Sequence, residues 1–414
     1  VRINIVEILD SLNKAQGVIL PKLGLHQRQV AYLAYRLAEQ LNQPQELKNR
    51  LFVTGLLHDI GALSVEEKLD AFSEINENIN IHSFRGAYMI SKFLPYRNIS
   101  PIVYYHHFPW RNGATITEYP EMPMESQLIY LADRICVNIT GTGTILSQLP
   151  QLRQYAKENS GEEFYPEYVA AFLELSNSES LWLDIISSDP IAKIDYSYIA
   201  NIDMSIDDLI DLARCYSYLI DFRSTFTATH SAGVAKTAQT LAELMFFSPD
   251  ECKKMLIAGY LHDLGKLAVD NNILEKQAPL TAKEIEVIRS HTYYTYYLLD
   301  GIAVFEEIKK WAAYHHEKLS GEGYPFHLKD ENICLGARIM AVSDVFSALL
   351  EKRPYKEPFS KEKSSSILLS MAKNRSLDAN VVDVLLDNYD KLSYECINAE
   401  KEAREDYDIL YSIS

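Results

Sequence analysis

Ten of the chain's 11 histidines fall into two series with one shared order. The first is His26, His58, His82, His106 and His107, at intervals of 32, 24, 24 and 1 residues. The second is His230, His262, His291, His315 and His316, at intervals of 32, 29, 24 and 1. An aspartate directly follows the second histidine of each series (Asp59, Asp263), and a later one closes it (Asp133, Asp344). Only His327 stands outside the scheme. Such agreement reads as one unit duplicated, and any fold must gather each set into one place twice. A chain of 414 residues also exceeds what one hydrophobic core usually supports. The expected domains are residues 1–195, including a joining stretch from about 141 with loop signals such as GTGT and SNSES, and residues 196–414.

The hydrophobic period is helical. In EEIKKWAAYHHEK, Ile308, Trp311, Ala312 and His315 fall at i, i+3, i+4 and i+7, one face of a helix. Strand-like alternation is rare, so the expected fold is all-α, two tandem helical bundles. The last acidic residues, Glu400, Glu402, Glu405, Asp406 and Asp408, read as a solvated helix face or a frayed end. The chain is 47% apolar and 23% charged, and no apolar run approaches the ~18 residues of a membrane span. A soluble chain without a membrane partner is expected. The net charge of −17 argues against a polymeric nucleic-acid partner, which needs a concentrated basic surface. A small anion in a locally positive pocket stays open. Cys136, Cys215, Cys252, Cys334 and Cys396 lack paired or metal-type spacing, which reads as reduced thiols in the cytoplasm. VRINIVEILD has no export signal, and without an initiator Met it leaves room for residues upstream.

A lone histidine on an apolar face is ordinarily a hydrogen-bonded core residue. That account would have to hold for five histidines and two aspartates in each copy, and there a metal centre explains more. His262 and Asp263 end an apolar helical run, about 100° apart, with Gly265 placed as a left-handed C-terminal cap. His58 and Asp59 do the same before Gly61. Asp344 sits in an apolar helix whose nearest charge is Arg338, so it reads as a buried carboxylate compensated by a metal. Asp133 has Arg134 beside it, which leaves an ordinary ion pair open. Seven nitrogen and oxygen ligands with no cysteine suit two divalent ions such as iron or manganese. Two ions a few ångströms apart suit phosphoester hydrolysis.

At this point the sequence resembles a known family. His230, His262-Asp263 and Asp344 stand in the ligand order of the HD phosphohydrolase superfamily. HDLGK (262–266), His291 and HHEKLSGEGYP (315–325) are similar to the narrower HD-GYP family, as are ILEK (273–276), LTAKE (280–284) and RPYK (353–356). The resemblance covers about residues 220–390. It implies HD-type bundles and a bacterial phosphodiesterase opening cyclic di-GMP or 3',3'-cyclic GMP-AMP with iron or manganese ions. His230, His262, Asp263, His291, His315, His316 and Asp344 would be metal ligands, with Asp263 bridging. Lys266 would contact the scissile phosphate, Gly323, Tyr324 and Pro325 would line the base-binding side, and Arg353 and Lys356 would hold phosphate oxygens. Phe226 stands where three-metal members carry a glutamate, so two ions are expected. Asp270 lies where a proline is frequent, and Thr295, where the family has glycine, is expected to narrow the pocket.

The first copy resembles the family only in part. His26, His58, Asp59, His82, His106, His107 and Asp133 remain as a second, degenerate metal site, but Ala62 replaces the lysine. Tyr119-Pro120 lacks the preceding glycines. This unit is expected to be catalytically silent, serving regulatory binding, dimer formation or support. The expected partners are a cyclic dinucleotide, and a second copy or a diguanylate cyclase-type protein. Two other readings stay open. One is a non-catalytic cyclic dinucleotide receptor that docks partners through its GYP loop. The other is a deoxynucleotide triphosphohydrolase, against which the additional histidines argue.

Overall fold

The computed structural model describes residues 2–19, 21–62, 80–140, 143–195, 201–221, 229–276, 278–351 and 357–412. The chain divides into two compact units, Arg2–Asp203 and Met204–Ser412. Both are helical, as expected. The described residues contain one strand pair, Arg2–Asn4 antiparallel to Asn201–Asp203, with Ile3 opposite Ile202. It ties the beginning of the first unit to its end. No helix among the described residues is long and apolar enough to cross a membrane, and the five cysteines form no disulfide.

The first unit runs α1 (Ile5–Ile19), α2 (Pro21–Gln40), α3 (Gln45–Leu57), α4 (Ile81–Lys92), α5 (Ser100–Tyr104), α6 (Ala114–Glu118), α7 (Met124–Val137), α8 (Ile145–Glu158), α9 (Pro166–Leu175) and α10 (Glu179–Ile185). The second runs α11 (Ile206–Asp221), α12 (His230–Leu244), α13 (Pro249–Leu261), α14 (Asn271–Leu274), α15 (Ala282–Leu299), α16 (Glu306–Ala313), α17 (Leu335–Leu350), α18 (Lys361–Lys373), α19 (Ala379–Asp387) and α20 (Tyr389–Ser412). Five helices of the first unit recur in the second in the same order. They are α2, α3, α4, α5 and α7, which correspond to α12, α13, α15, α16 and α17. Each pair carries or adjoins the same member of the His/Asp series.

Local chemistry sets the helix starts. Ser248 and Glu251 form a reciprocal capping box at α13, with Pro249 in its first turn. Thr281 and Glu284, from the LTAKE stretch, form another at α15. Lys276, from ILEK, reaches both Glu284 carboxylate oxygens at 2.7 Å, so these two motifs tie one helix entry together. Asp270 is the N-cap of α14, accepting from the Asn272 amide at 2.8 Å.

The duplication extends to helix contacts. A Cβ on Gly259 would overlap Ala235, and one on Gly55 would overlap Ala31, so α13 lies directly against α12 as α3 does against α2. Gly265 does not take the left-handed conformation expected of it. Its role is a close approach, because a Cβ there would overlap the His291 carbonyl, as one on Gly61 would overlap that of His82. Absence of a side chain brings the HD turn onto α15, and in the first unit onto α4. The C-terminal acidic stretch also differs from expectation. Glu402, Glu405 and Asp408 are exposed, but Glu400 and Asp406 turn inward. Asp406 accepts from the Tyr218 hydroxyl at 2.6 Å, and Glu400 from Ser347 Oγ at 3.2 Å.

Candidate metal centres

In the second unit α13 ends at Leu261, and a single 310 turn, Leu264–Ala268, follows His262 and Asp263. This turn puts both side chains at the bundle centre. His230 opens α12, His291 lies mid-helix in α15, and Asp344 lies in α17. His315 and His316 follow the end of α16 at Ala313, so the helical face expected to carry His315 stops two residues short of it.

The Asp263 carboxylate divides the cluster. Its Oδ2 lies 3.2 Å from His262 Nε2, and its Oδ1 lies 3.3 Å from His291 Nε2 and 4.0 Å from His315 Nε2. On one side Asp344 Oδ1 is 3.1 Å from His230 Nε2 and 4.0 Å from His262 Nε2. On the other, the ligand atoms of His291, His315 and His316 lie within 4.8 Å of one another. The geometry is that of two adjoining pockets sharing one aspartate. Lys266 Nζ lies 2.5 Å from Asp263 Oδ2, so the lysine is salt-bridged to the shared aspartate. Asp344 is less buried than its apolar helix suggested, with 16% of its side chain exposed, and Arg338 turns away to Asp378. The pocket therefore opens on the side of Asp344 and His316, both partly exposed.

The first unit repeats the plan. Asp59 Oδ2 is 3.2 Å from His58 Nε2 and its Oδ1 is 3.3 Å from His82 Nε2. Asp133 Oδ1 is 3.0 Å from His26 Nε2. His107 Nε2 is 2.9 Å from His82 Nε2, and His106 completes that side. All seven side chains are buried. Asp133 Oδ2 takes two Arg134 donors at 2.9 and 2.6 Å, the ordinary ion pair left open above.

The donors are set for a cation. His58, His262, His106, His315 and His291 each place Nδ1 2.5–2.9 Å from the carbonyl three residues earlier. With the proton on Nδ1, the lone pair is on Nε2, which points into the cluster. Nε2 of His58, His106 and His262 is buried without a hydrogen-bond partner. Nitrogen and carboxylate donors, some orphaned and converging in two pockets per unit, fit divalent ions. Burial pushes His291 down to about 3 and lowers His315 and His316, leaving neutral imidazoles. At His230 burial is outweighed by Asp344, which raises it to about 9. At His262 Asp263 likewise overrides burial. Burial opposes charge on Asp263 too, yet Lys266 and His262 hold it well below the usual carboxylate range. An arriving cation would displace the protons on His230 and His262.

The GYP loop is built around Glu317, which sequence reasoning passed over although it completes HHE. Glu317 is 3% exposed and accepts from the amides of Phe326 at 2.7 Å and Leu328 at 2.9 Å. Gly323 must lack a side chain, since a Cβ would overlap the His316 carbonyl region and the Lys318 amide. The Tyr324 amide donates to the His316 carbonyl at 3.2 Å, and its ring centroid lies 5.0 Å from that of His316. The Tyr324-Pro325 peptide is cis. Thr295 does not narrow the pocket. It is fully buried, accepts from the Gly265 amide at 2.9 Å and donates to the His262 carbonyl at 3.0 Å, clasping the HD turn. Phe226, Arg353 and Lys356 lie outside the described residues.

Comparison with known proteins agrees with two HD-type units. Two family models, each described as an HD domain, match residues 24–138 and 214–381. A 3'3'-cGAMP-specific phosphodiesterase 1 of Vibrio cholerae is 27% identical over 384 residues, 88% of this chain and 86% of that protein. A cyclic di-GMP phosphodiesterase response regulator of Xanthomonas campestris is 36% identical over 179 residues, 43% of this chain and 47% of its own length. The solved structure of a Vibrio cholerae cyclic GMP-AMP specific phosphodiesterase superposes with a TM-score of 0.60 at 19% identity, covering 96% of this chain and 97% of that one, a likeness of fold. This chain therefore belongs to the HD superfamily, as a tandem of two HD domains of which the second carries the HD-GYP motif set.

Proposed function

We propose that the second unit hydrolyses a phosphodiester bond of a cyclic dinucleotide, 3',3'-cyclic GMP-AMP or cyclic di-GMP. The observation that carries this reading is the division of Asp263, one carboxylate oxygen toward each histidine group, with Lys266 beside it. His230, His262, Asp263 and Asp344 would hold one ion, and Asp263, His291, His315 and His316 the other, two irons or manganeses in all. Such a pair, when bound, would activate water for attack and lend Lewis-acid stabilisation to the phosphoryl group.

The chain's own residues do the rest. Asp263 orients the Lys266 ammonium at 2.5 Å, and Lys266 offers its charge to a phosphoryl oxygen as negative charge develops there. The i−3 carbonyls hold the protons of His262, His291 and His315 on Nδ1 and keep the three rings aimed. Glu317 fixes the loop that presents Tyr324 to the base side, where Gly323 and Pro325 shape the turn. The family resemblance gives Arg353 and Lys356 the role of holding phosphate oxygens. Support for 3',3'-cyclic GMP-AMP as the first substrate to test comes from the similarity, over 88% of this chain, to a phosphodiesterase so named. A nucleotide second messenger as substrate supports a cytoplasmic location.

In the first unit, His26, His58, Asp59, His82, His106, His107 and Asp133 form a metal centre that does not turn over substrate, because Ala62 stands where Lys266 stands in the second. The test is a purified sample loaded with iron or manganese and given both substrates. Linear dinucleotide or mononucleotides are the expected products. Confirmed metal with no turnover of either would sink the reading.

A further inference from the structure

The mouth of the second centre carries rings and a cation that neither the metal ligands nor the core explain. The Arg289 guanidinium lies 5.2 Å from the centroid of Tyr324, whose ring adjoins His316. Arg289 is exposed, and among the described residues its guanidinium meets that ring and no carboxylate. At i+4 on the same face of α15 is Tyr293, 49% exposed. Its ring centroid lies 6.3 Å from that of Phe326, also exposed, on the loop just after Pro325. Phe326 is not adrift. Tyr296 and Tyr314 buttress it at 5.1 and 5.5 Å, and its amide is bound to buried Glu317.

Single exposed tyrosines are ordinary surface residues. Here the rings are contiguous, one of them is held in place by a buried carboxylate, and they begin where Tyr324 leaves the metal cluster. We propose that Arg289, Tyr293 and Phe326 form a purine-binding ledge beside the second centre, selective for guanine. Tyr293 and Phe326 present faces on which a base can stack, an interaction indifferent to which base it is. Arg289 supplies the selection. Its paired N–H donors match O6 and N7 of guanine, both acceptors, whereas adenine places an N6 donor against them. The ledge rests on the reading of this centre as a cyclic dinucleotide site.

All three side chains are exposed, so their removal leaves the core intact. The experiment measures KM and kcat for cyclic di-GMP, 3',3'-cyclic GMP-AMP and cyclic di-AMP, with metal content and melting temperature of every variant. Arg289→Ala should raise KM for the guanine-bearing substrates about 10- to 100-fold and erase their advantage over cyclic di-AMP. Arg289→Lys, which keeps the charge and loses the paired donors, should not restore that advantage. Tyr293→Ala should raise KM for every substrate the wild type turns over, by about 5- to 100-fold. If the wild type is active and both alanine variants keep its KM, or lose kcat instead, the ledge is wrong although the centre stands. A metal-loaded wild type that neither binds nor turns over any of the three defeats both.

Discussion

Thr295 gives the sharpest test of how the second centre is held. Its hydroxyl accepts the Gly265 N–H at 2.9 Å and donates to the His262 carbonyl at 3.0 Å, in full burial. Thr295→Val keeps the shape and deletes both bonds. Leaving a buried polar group unsatisfied costs about 1–3 kcal/mol, so two such losses, partly relieved by relaxation, should cost about 2–4 kcal/mol. The second effect is on chemistry. The clasped turn carries His262, Asp263 and Lys266, and Gly265 is already in contact with the His291 carbonyl, so the turn can relax only away from α15. A displacement approaching 1 Å of a group that meets the reacting phosphate costs on the order of 100-fold in rate. Urea unfolding and steady-state turnover of wild type, Thr295→Val and Thr295→Ser measure both effects. Serine retains the hydroxyl and should recover most of each. A valine variant within about 0.5 kcal/mol and twofold of wild type would refute the clasp.

Three further outcomes follow from the same geometry. Asp263→Ala should abolish turnover and lower metal content, whereas Asp59→Ala should lower metal content and leave most turnover; metal analysis beside activity separates the units. Glu317→Gln replaces one of the two carboxylate oxygens that accept the Phe326 and Leu328 amides with a donor, and should destabilise by about 1–3 kcal/mol while raising KM, as read by unfolding and kinetics. Burial pushes Glu400 up to about 7, above its unfolded range. The folded state then holds the extra proton, so stability is full below about pH 4.5 and declines as pH rises through about 7. Glu400→Gln should flatten that decline in melting temperature between pH 5 and 8, and an unchanged slope would assign it elsewhere.

The site was more legible in the sequence than its support. Ligand order survives in one dimension because the histidines come from successive helices and turns, the last two of each series sharing one turn, and the intervals between them span those elements and their connections. Asp263 and Asp59 each face two histidine groups, an arrangement that the resemblance implied for Asp263 alone. What failed was reasoning from one residue's usual habit. Glycine after a helix suggested a left-handed cap, but Gly265 is required by the His291 carbonyl, which is 26 residues away in sequence. Threonine for glycine suggested a steric change in the pocket, but Thr295 spends its hydroxyl on the turn behind it. A run of acids suggested a solvated face, but Glu400 and Asp406 meet partners on α17 and α11. Each miss is a long-range contact, which local pattern does not encode. The motifs ILEK and LTAKE were visible as strings, yet their joint role, Lys276 on Glu284, needed the fold.

On the proposed reading, the two units separate holding a cation from using it. Their ligand frames agree down to the shared aspartate, the i−3 carbonyl bonds and the glycine contacts that place each HD turn. They part at three points that all bear on an incoming phosphate. Lys266 becomes Ala62, so this position offers no ammonium to the shared carboxylate. Thr295 becomes Gly86, so the first turn has no hydroxyl clasp at this position. Asp344, partly exposed, becomes Asp133, buried and bound by Arg134. A substrate dianion needs an opening and a cation in it, whereas in the first unit all seven side chains are buried and Arg134 is spent on Asp133. Loss of selection for chemistry would not by itself keep seven buried polar side chains in register. Without an ion they would be a large cost to the core, since buried polar groups must be compensated. Their retention beside the loss of the lysine is what a centre maintained for the fold, and no longer for hydrolysis, would look like.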